Sequence, residues 1–320
     1  MQILSFLVFV VLQILFLPLV VLGVAWVAYT QMVVSKRIGV SQTAIEVING
    51  RWTMHVFGMR DDPASAKLAA VLPNTSTVGL WLVLFPLWVK HKMSGTYFGY
   101  PRAPEEGAEG LGDIVVARTL YFDRIIEDAA GELEQFVVLG AGYDTRAYGW
   151  LKRPGLSCFE VDQPSVQRHK IESLKRAGID VAHVRFVAVD FDQESACDKL
   201  RASGYDPAKK TLFLWEGVTL YLDESTVRQT LRDIRQLAAK GSAVVADLYA
   251  ERLIRMTGAA GQKALAYTGE GFRFGLPFAT DPELTLRSFV ESEGMGLGTA
   301  FFLGRTHRKG PFMVVAEIQV

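Results

Sequence analysis

An open, mostly parallel α/β sheet, preceded by a helical cap and a long apolar helix, is the fold this sequence predicts. Three observations carry the prediction. The stretch Phe136-Val-Val-Leu-Gly-Ala-Gly-Tyr-Asp-Thr-Arg146 runs an apolar segment of buried-strand length into Gly140 and Gly142, and glycine lets the following turn pass close to a ligand. Further apolar segments end in an acid at Phe159-Glu-Val-Asp162, Phe186-Val-Ala-Val-Asp190 and Leu212-Phe-Leu-Trp-Glu216. Polar segments with helical spacing separate them, and strands alternating with helices build a parallel sheet covered on both faces.

The chain opens on residues 3–30, which carry no charge; from Ile3 to Val20 only Ser5 and Gln13 are polar. That run exceeds the roughly 20 apolar residues needed to cross a bilayer. A cleavable signal has a basic start and a shorter apolar run, and neither is found here. Residues 1–30 are therefore expected to be a retained single-pass transmembrane anchor. Lys36 and Arg37 directly after it place the catalytic domain on the cytoplasmic side.

Residues 31–112 read as a helical cap. Ala44, Ile45, Val47, Ile48, Trp52, Val56 and Phe57 recur at helical spacing, and Asp61-Asp62-Pro63 stops one helix and starts another. A second uncharged stretch covers residues 68–89. Pro73 and Pro86 make it a poor spanning helix, whereas Trp81, Trp88, Lys90, His91 and Lys92 suit a headgroup boundary. It is read as an interfacial segment; a core helix and a second full span are the alternatives. Residues 100–112, rich in Pro, Gly and Glu, are expected to be an exposed linker.

Residues 113–320 form the core domain. A helix over 114–126 precedes the first strand. Helices follow at 166–178, 193–203 and 225–241, the last with Asp223 or Ser225 as cap. A fifth strand covers 241–249. Residues 299–304 and 311–320, joined by the basic turn 305–309, predict a terminal antiparallel hairpin. Lys and Arg number 34 and Asp and Glu 34, so no basic face for nucleic acid is expected. The only cysteines, Cys158 and Cys197, stand in no disulfide or zinc spacing and read as buried apolar residues. No metal site is expected.

Two cofactors compete for such a sheet. A dinucleotide fingerprint needs a third glycine where this chain has Thr145, and a pyrophosphate would sit badly beside Asp144. S-adenosyl-L-methionine carries no phosphate, has a cationic sulfonium, and offers ribose hydroxyls and an ammonium that favour carboxylates. Asp162, twenty residues after Gly142, is placed to accept ribose hydroxyls of either cofactor, so the missing glycine and the later acids decide for S-adenosylmethionine. An NAD(P)-dependent oxidoreductase, or a catalytically silent scaffold of the same fold, is the alternative.

Leu139-Gly-Ala-Gly-Tyr-Asp-Thr-Arg-Ala-Tyr148, then Glu160-Val-Asp162-Gln-Pro with Lys170, then Trp215-Glu-Gly-Val-Thr-Leu-Tyr-Leu222, resemble the leucine carboxyl methyltransferase family in order and spacing. The resemblance implies a Rossmann-like class I methyltransferase sheet and S-adenosylmethionine-dependent O-methylation. It covers residues 114–248 well, 41–72 more weakly and the anchor not at all. It implies that Arg118 pairs with the cofactor's carboxylate and that Gly140 and Gly142 let the backbone pass its methionine part. Asp162 would hold the ribose, Asp190 and the backbone of Phe191 the adenine, and Glu216 the ammonium. Tyr221 would lie near the methyl or the acceptor, although a core aromatic is the commoner reading. Asp144 is equally a helix cap or a ligand contact. Arg51, His55, Arg60 and Tyr97 are acceptor candidates by position alone, and His55 reads better as a helix-face histidine with a local partner. The acceptor is expected to be a small, lipid-like carboxylate or hydroxyl compound.

Overall fold

The computed structural model describes residues 2–189, 194–256 and 271–320. The chain forms two compact units: Met1–Ala103, Tyr143–Thr145 and Ile171–Ile179 in one, and Pro104–Gly142, Arg146–Lys170 and Asp180–Val320 in the other.

In the N-terminal unit, α1 (Gln2–Tyr29) runs through a π-helical turn at Thr30–Val34 into α2 (Ser35–Ile38). Together they make one helix of 37 residues. It stops at Gly39, whose φ of 68° is open to glycine at little cost. The Ser41 hydroxyl caps α3 (Gln42–Val56) by accepting from Ala44 N. As the acid-acid-proline sequence predicted, Asp62 caps α4 (Pro63–Val71), accepting from Ser65 N with Pro63 in the first turn. Ser76 caps α5 (Thr77–Ser94), and a left-handed Gly95 ends it.

The expectation of an interfacial segment over 68–89 is modified by this packing. The segment is broken into the end of α4, a turn and most of α5. Residues 78–89 lie between two helices, and only Val78 among them is exposed. On one side Phe85 stacks on Phe16 of α1, Phe98 meets Phe6 and Phe9, and Gly79 approaches Gly23. Rising numbers in α1 meet falling numbers after it, so α1 and α5 are antiparallel. On the other side Trp81 packs edge-on against Trp52 of α3, and His91 meets Phe57.

The second unit holds a seven-stranded sheet of order β3-β2-β1-β4-β5-β7-β6. The strands are β1 (Gln135–Leu139), β2 (Ser157–Asp162), β3 (Val184–Ala188), β4 (Thr211–Trp215), β5 (Ala243–Tyr249), β6 (Gly296–Leu303) and β7 (Met313–Gln319). The first five are mutually parallel, and β7 is antiparallel to both neighbours, which realises the expected terminal hairpin. Helices α6 (Ile114–Ala129), α7 (Pro164–Arg176), α8 (Ala196–Ala202), α9 (Glu224–Leu237), α10 (Glu251–Met256) and α11 (Pro282–Ser292) complete the described elements. Helix α9 stops four residues short of the expected end because Ala238 is extended.

Successive strand residues feed opposite apolar clusters, as the period of two requires. Val137, Phe213 and Val244 pack with Leu231 and Ile234 of α9, while Val138, Leu214 and Val245 pack with Phe122 and Ile126 of α6. Burial on both faces explains why these strands read as unbroken apolar runs. The strand order reverses between β1 and β4, and ligands of open α/β sheets bind outside the carboxyl ends at such a point.

The expected exposed linker is wrong at Pro101, Gly107 and Glu109, which are buried. Glu109 is fully buried, and its carboxylate accepts from Gly107 N, Gly304 N and the Tyr121 hydroxyl. Thr306 N donates to Gly107 O in addition. The polar composition suggested solvent; a buried carboxylate that collects three donors has no need of it.

Candidate active site

Gly140 and Gly142 leave β1 with φ of 65° and 41°. A Cβ on Gly140 would stand 2.5 Å from Val218 Cγ2, so that position must be glycine for both conformation and space. Because β1 lies beside β2, the turn meets the end of that strand. Gly142 N donates to Asp162 Oδ2 at 2.6 Å, and Gln163 N donates to Oδ1 at 2.7 Å. Each carboxylate oxygen is thus fixed by one amide and keeps acceptor capacity for a ligand hydroxyl. Burial pushes the Asp162 carboxyl up, against the pull of those two amides and of Lys170. Close by, Lys170 Nζ forms a buried pair with Glu160 at 2.7 Å and reaches Ala141 O at 3.4 Å.

Across the switch point lies a chain of buried charges. Arg118 of α6 reaches Glu216 through Nε (3.3 Å), Asp247 through Nη1 (3.2 Å) and the Tyr249 hydroxyl through Nη1 (2.8 Å). Arg146 donates to Asp123 at 2.6 Å and to Glu216 at 2.7 Å. Both oxygens of Asp247 accept from Gly217 N at 2.9 Å, and the Tyr249 hydroxyl donates to it at 2.7 Å. Burial opposes the charge on Arg118, yet Tyr249, Glu216 and Asp247 together hold it above the ordinary arginine value. Burial lifts Asp247 to about 6 despite Arg118, and it raises the Tyr249 phenol well above its ordinary value. Asp123, Glu216 and Asp247 set three carboxylates against two guanidinium groups.

The residues expected from sequence fall into three groups. Gly140, Gly142 and Asp162 meet at one point, and Arg118 and Glu216 meet at another. Arg118 Nη2 takes no part in the contacts above. Tyr221 ends a 3₁₀ turn at Thr219–Tyr221 with its ring 5.6 Å from Phe272, the packing of a partly buried core aromatic. Asp190 and Phe191 lie outside the described residues.

In the N-terminal unit the acceptor candidates are engaged locally. Arg51 pairs with Asp144 at 2.8 Å. Arg60 pairs with Asp62, and the Thr145 hydroxyl also donates to Asp62. His55 Nδ1 accepts from Asp62 N, the local partner expected for it, and Tyr97 stacks on His91.

Asp247, Tyr249, Arg146 and Asp123 were missed. The signal for Asp247 was present, since Val244-Val-Ala-Asp247 ends a strand in an acid as the others do. Asp123 carries no comparable signal on its helix.

The sequence profile of the leucine carboxyl methyltransferase family matches residues 68–235. A protein from Mycobacterium avium, described as an S-adenosyl-L-methionine-dependent methyltransferase, is 33% identical over 247 residues, covering 76% of this chain and 75% of its own. One from Mycolicibacterium smegmatis is 38% identical over 149 residues, 44% of this chain and 48% of its own. A solved DUF574 family protein from Streptomyces avermitilis is similar with a TM-score of 0.48 at 15% identity, covering 64% of this chain and 83% of that one.

Proposed function

This chain belongs to the leucine carboxyl methyltransferase family and is an S-adenosylmethionine-dependent methyltransferase, and from that premise we propose that it methylates an oxygen of a small, lipophilic acceptor at a membrane. The observation that carries the site is Asp162, held by the glycine turn so that both oxygens can accept from ribose hydroxyls. Gly140 and Gly142 give the methionine part its passage, and Arg118 Nη2 is the arm for its carboxylate. Glu216, at the end of β4, is the carboxylate that suits an ammonium, the role the family resemblance implies. Asp190 and Phe191 keep the adenine role that the family resemblance implies.

The cofactor supplies a methyl group on a cationic sulfur, which passes to the acceptor oxygen as the carbon–sulfur bond breaks and its electron pair returns to sulfur. The protein's share is to hold the reactants in line and to exclude water. A carboxylate acceptor needs no base, whereas a hydroxyl must lose a proton. Among the described residues no histidine is hydrogen-bonded to Arg118, Asp247 or Tyr249, and burial raises the Tyr249 phenol well above its ordinary value. That favours a carboxylate and a methyl ester product. The uncharged N-terminal helix supports a lipid-like acceptor, and Lys36 and Arg37 support a cytoplasmic catalytic domain.

Membranes and soluble extract are each incubated with the protein and methyl-labelled S-adenosylmethionine. The expected label is extractable into organic solvent and released as methanol by mild base. Label confined to water-soluble or base-stable products would overturn the acceptor assignment while leaving the methyltransferase in place.

A further inference from the structure

We propose that α1 lies along the plane of one membrane leaflet, backed by α5, so that the N-terminus and the catalytic domain are on the same side. The proposal rests on the membrane association inferred above, and it replaces the single crossing expected from sequence.

The first observation is an inverted distribution of polarity. The α1 residues turned towards α5 are Ser5, Phe9, Gln13, Phe16, Val20, Gly23 and Val27, buried or half-buried, with Thr30 continuing the row. That row contains Ser5 and Gln13, the only polar residues between Ile3 and Val20. From Ile3 to Ala28 the outward face is wholly apolar: Ile3 is 79% exposed, Ile14 and Leu15 67%, and Leu22 61%. Water selects the opposite arrangement, with the apolar stripe inside. Lipid selects this one, in which small and polar residues make the helix contact and large apolar residues meet acyl chains. The inward hydroxyls are satisfied by their own helix, Ser5 donating to Gln2 O and Thr30 to Trp26 O and Val27 O. At the contact a Cβ on Gly23 would stand 2.7 Å from Gly79 O, so the two backbones approach as small residues allow.

The second observation decides between crossing and lying flat. α1 does not stand free, because α5 follows it from Gly23 back to Phe16, Phe98 just after α5 meets Phe9 and Phe6, and α5 is itself packed on α3 through Trp52 and on Phe57. A crossing by α1 would carry α5 and the end of α3 to the same depth. Arg60 and Asp61 follow Phe57 within four residues, and the Asp61 side chain is 95% exposed. An exposed charge drawn into the hydrocarbon costs up to about 2.5–3.5 kcal/mol, the value at its centre on insertion scales. Lying flat avoids that cost. Basic residues at both ends of the pair fit as well: exposed Lys36 and Arg37 follow α1, and exposed Lys92 ends α5 beside the α1 N-terminus. A headgroup plane can meet both ends of a helix lying in it.

The test uses the full-length protein with an epitope at each terminus, in sealed membrane vesicles of both orientations. Both epitopes are expected to be digested from inside-out vesicles and both protected in right-side-out ones. Opposite accessibility of the two ends would overturn the in-plane arrangement and leave membrane association standing. Recovery in the supernatant would overturn both. In a second arm, Leu15→Arg with Leu22→Arg is expected to lower the membrane-bound fraction at least tenfold while S-adenosylhomocysteine affinity stays at the wild-type value. Undiminished binding to membranes, or lipid-independent cross-linking of two copies through α1, would overturn the lipid-facing assignment.

Discussion

Replacing Asp162 by Asn tests the cofactor site at its best-defined atom pair. In the wild type, Gly142 N and Gln163 N each donate to a different oxygen, at 2.6 and 2.7 Å. Whichever oxygen becomes the amide NH₂, a donor then faces a donor, and one buried N–H goes unpaired at about 1–3 kcal/mol. That part falls on stability. On the ligand side the charge is lost, and one of two ribose hydroxyls loses its acceptor. Hydrogen bonds to a charged group contribute about 1.5–3 kcal/mol each, so a loss of roughly 2–4 kcal/mol is expected, about 30- to 900-fold in Kd. Calorimetric titration with S-adenosylhomocysteine measures the affinity, and denaturant unfolding of the same variant measures the stability. Affinity within threefold of wild type in a cooperatively folded variant would refute the assignment. A pH series adds a signature: burial raises the Asp162 carboxyl, and ribose hydroxyls prefer the ionised form. Wild-type affinity should therefore fall as the pH drops through a value above the ordinary aspartate range, while the variant stays flat.

Gly140→Ala places a Cβ at a φ of 65° and 2.5 Å from Val218 Cγ2; a stability loss of about 1–3 kcal/mol is expected, and an unchanged melting temperature with normal affinity would contradict the tight turn. Asp247 is raised by burial from 3.8 to about 6, so its folded state holds the proton more firmly than the unfolded chain does. Its contribution is therefore full below about pH 4 and lost as the pH rises through 6. Denaturant unfolding of wild type against Asp247→Asn is expected to show the wild-type advantage shrinking by roughly 2–3 kcal/mol from pH 4 to 7; a constant difference would show that the titrating group lies elsewhere.

The sheet was readable because local rules and the final packing agree. Strands β1 and β4 carry the unbroken apolar runs 136–139 and 212–215, and a strand covered on both faces accommodates that. Gly140 marks a positive φ that few other residues enter. Chemistry made by distant parts of the chain was not readable in the same way. Arg118 finds Asp247 129 positions later, and nothing in a helix that reads Ala-Arg-Thr announces which acids will surround it. Glu109 fails for the opposite reason, since its neighbours Pro104, Glu105, Glu106 and Gly107 are those of a solvated segment, and two of the three donors that hold it, Gly304 N and the Tyr121 hydroxyl, come from elsewhere in the fold. The pairing of α1 with α5 was hidden because length and apolarity describe a helix without saying which side of it meets protein. Ser5 and Gln13 held that information, and it became legible only once their side of the helix was known.

The run from Asp123 through Arg146, Glu216 and Arg118 to Asp247 joins α6, the turn after β1, and the ends of β4 and β5. Removing one member of a buried pair strands its partner at a cost of about 3–5 kcal/mol. Each of these elements is therefore held by what the others contribute, and none can open alone cheaply. The amide hydrogens at these strand ends then exchange with solvent only through openings large enough to release several elements together. A region usually drawn from the weak, breathing end of a protein's stability is here expected to exchange slowly, and access for ligands falls to the connections around it.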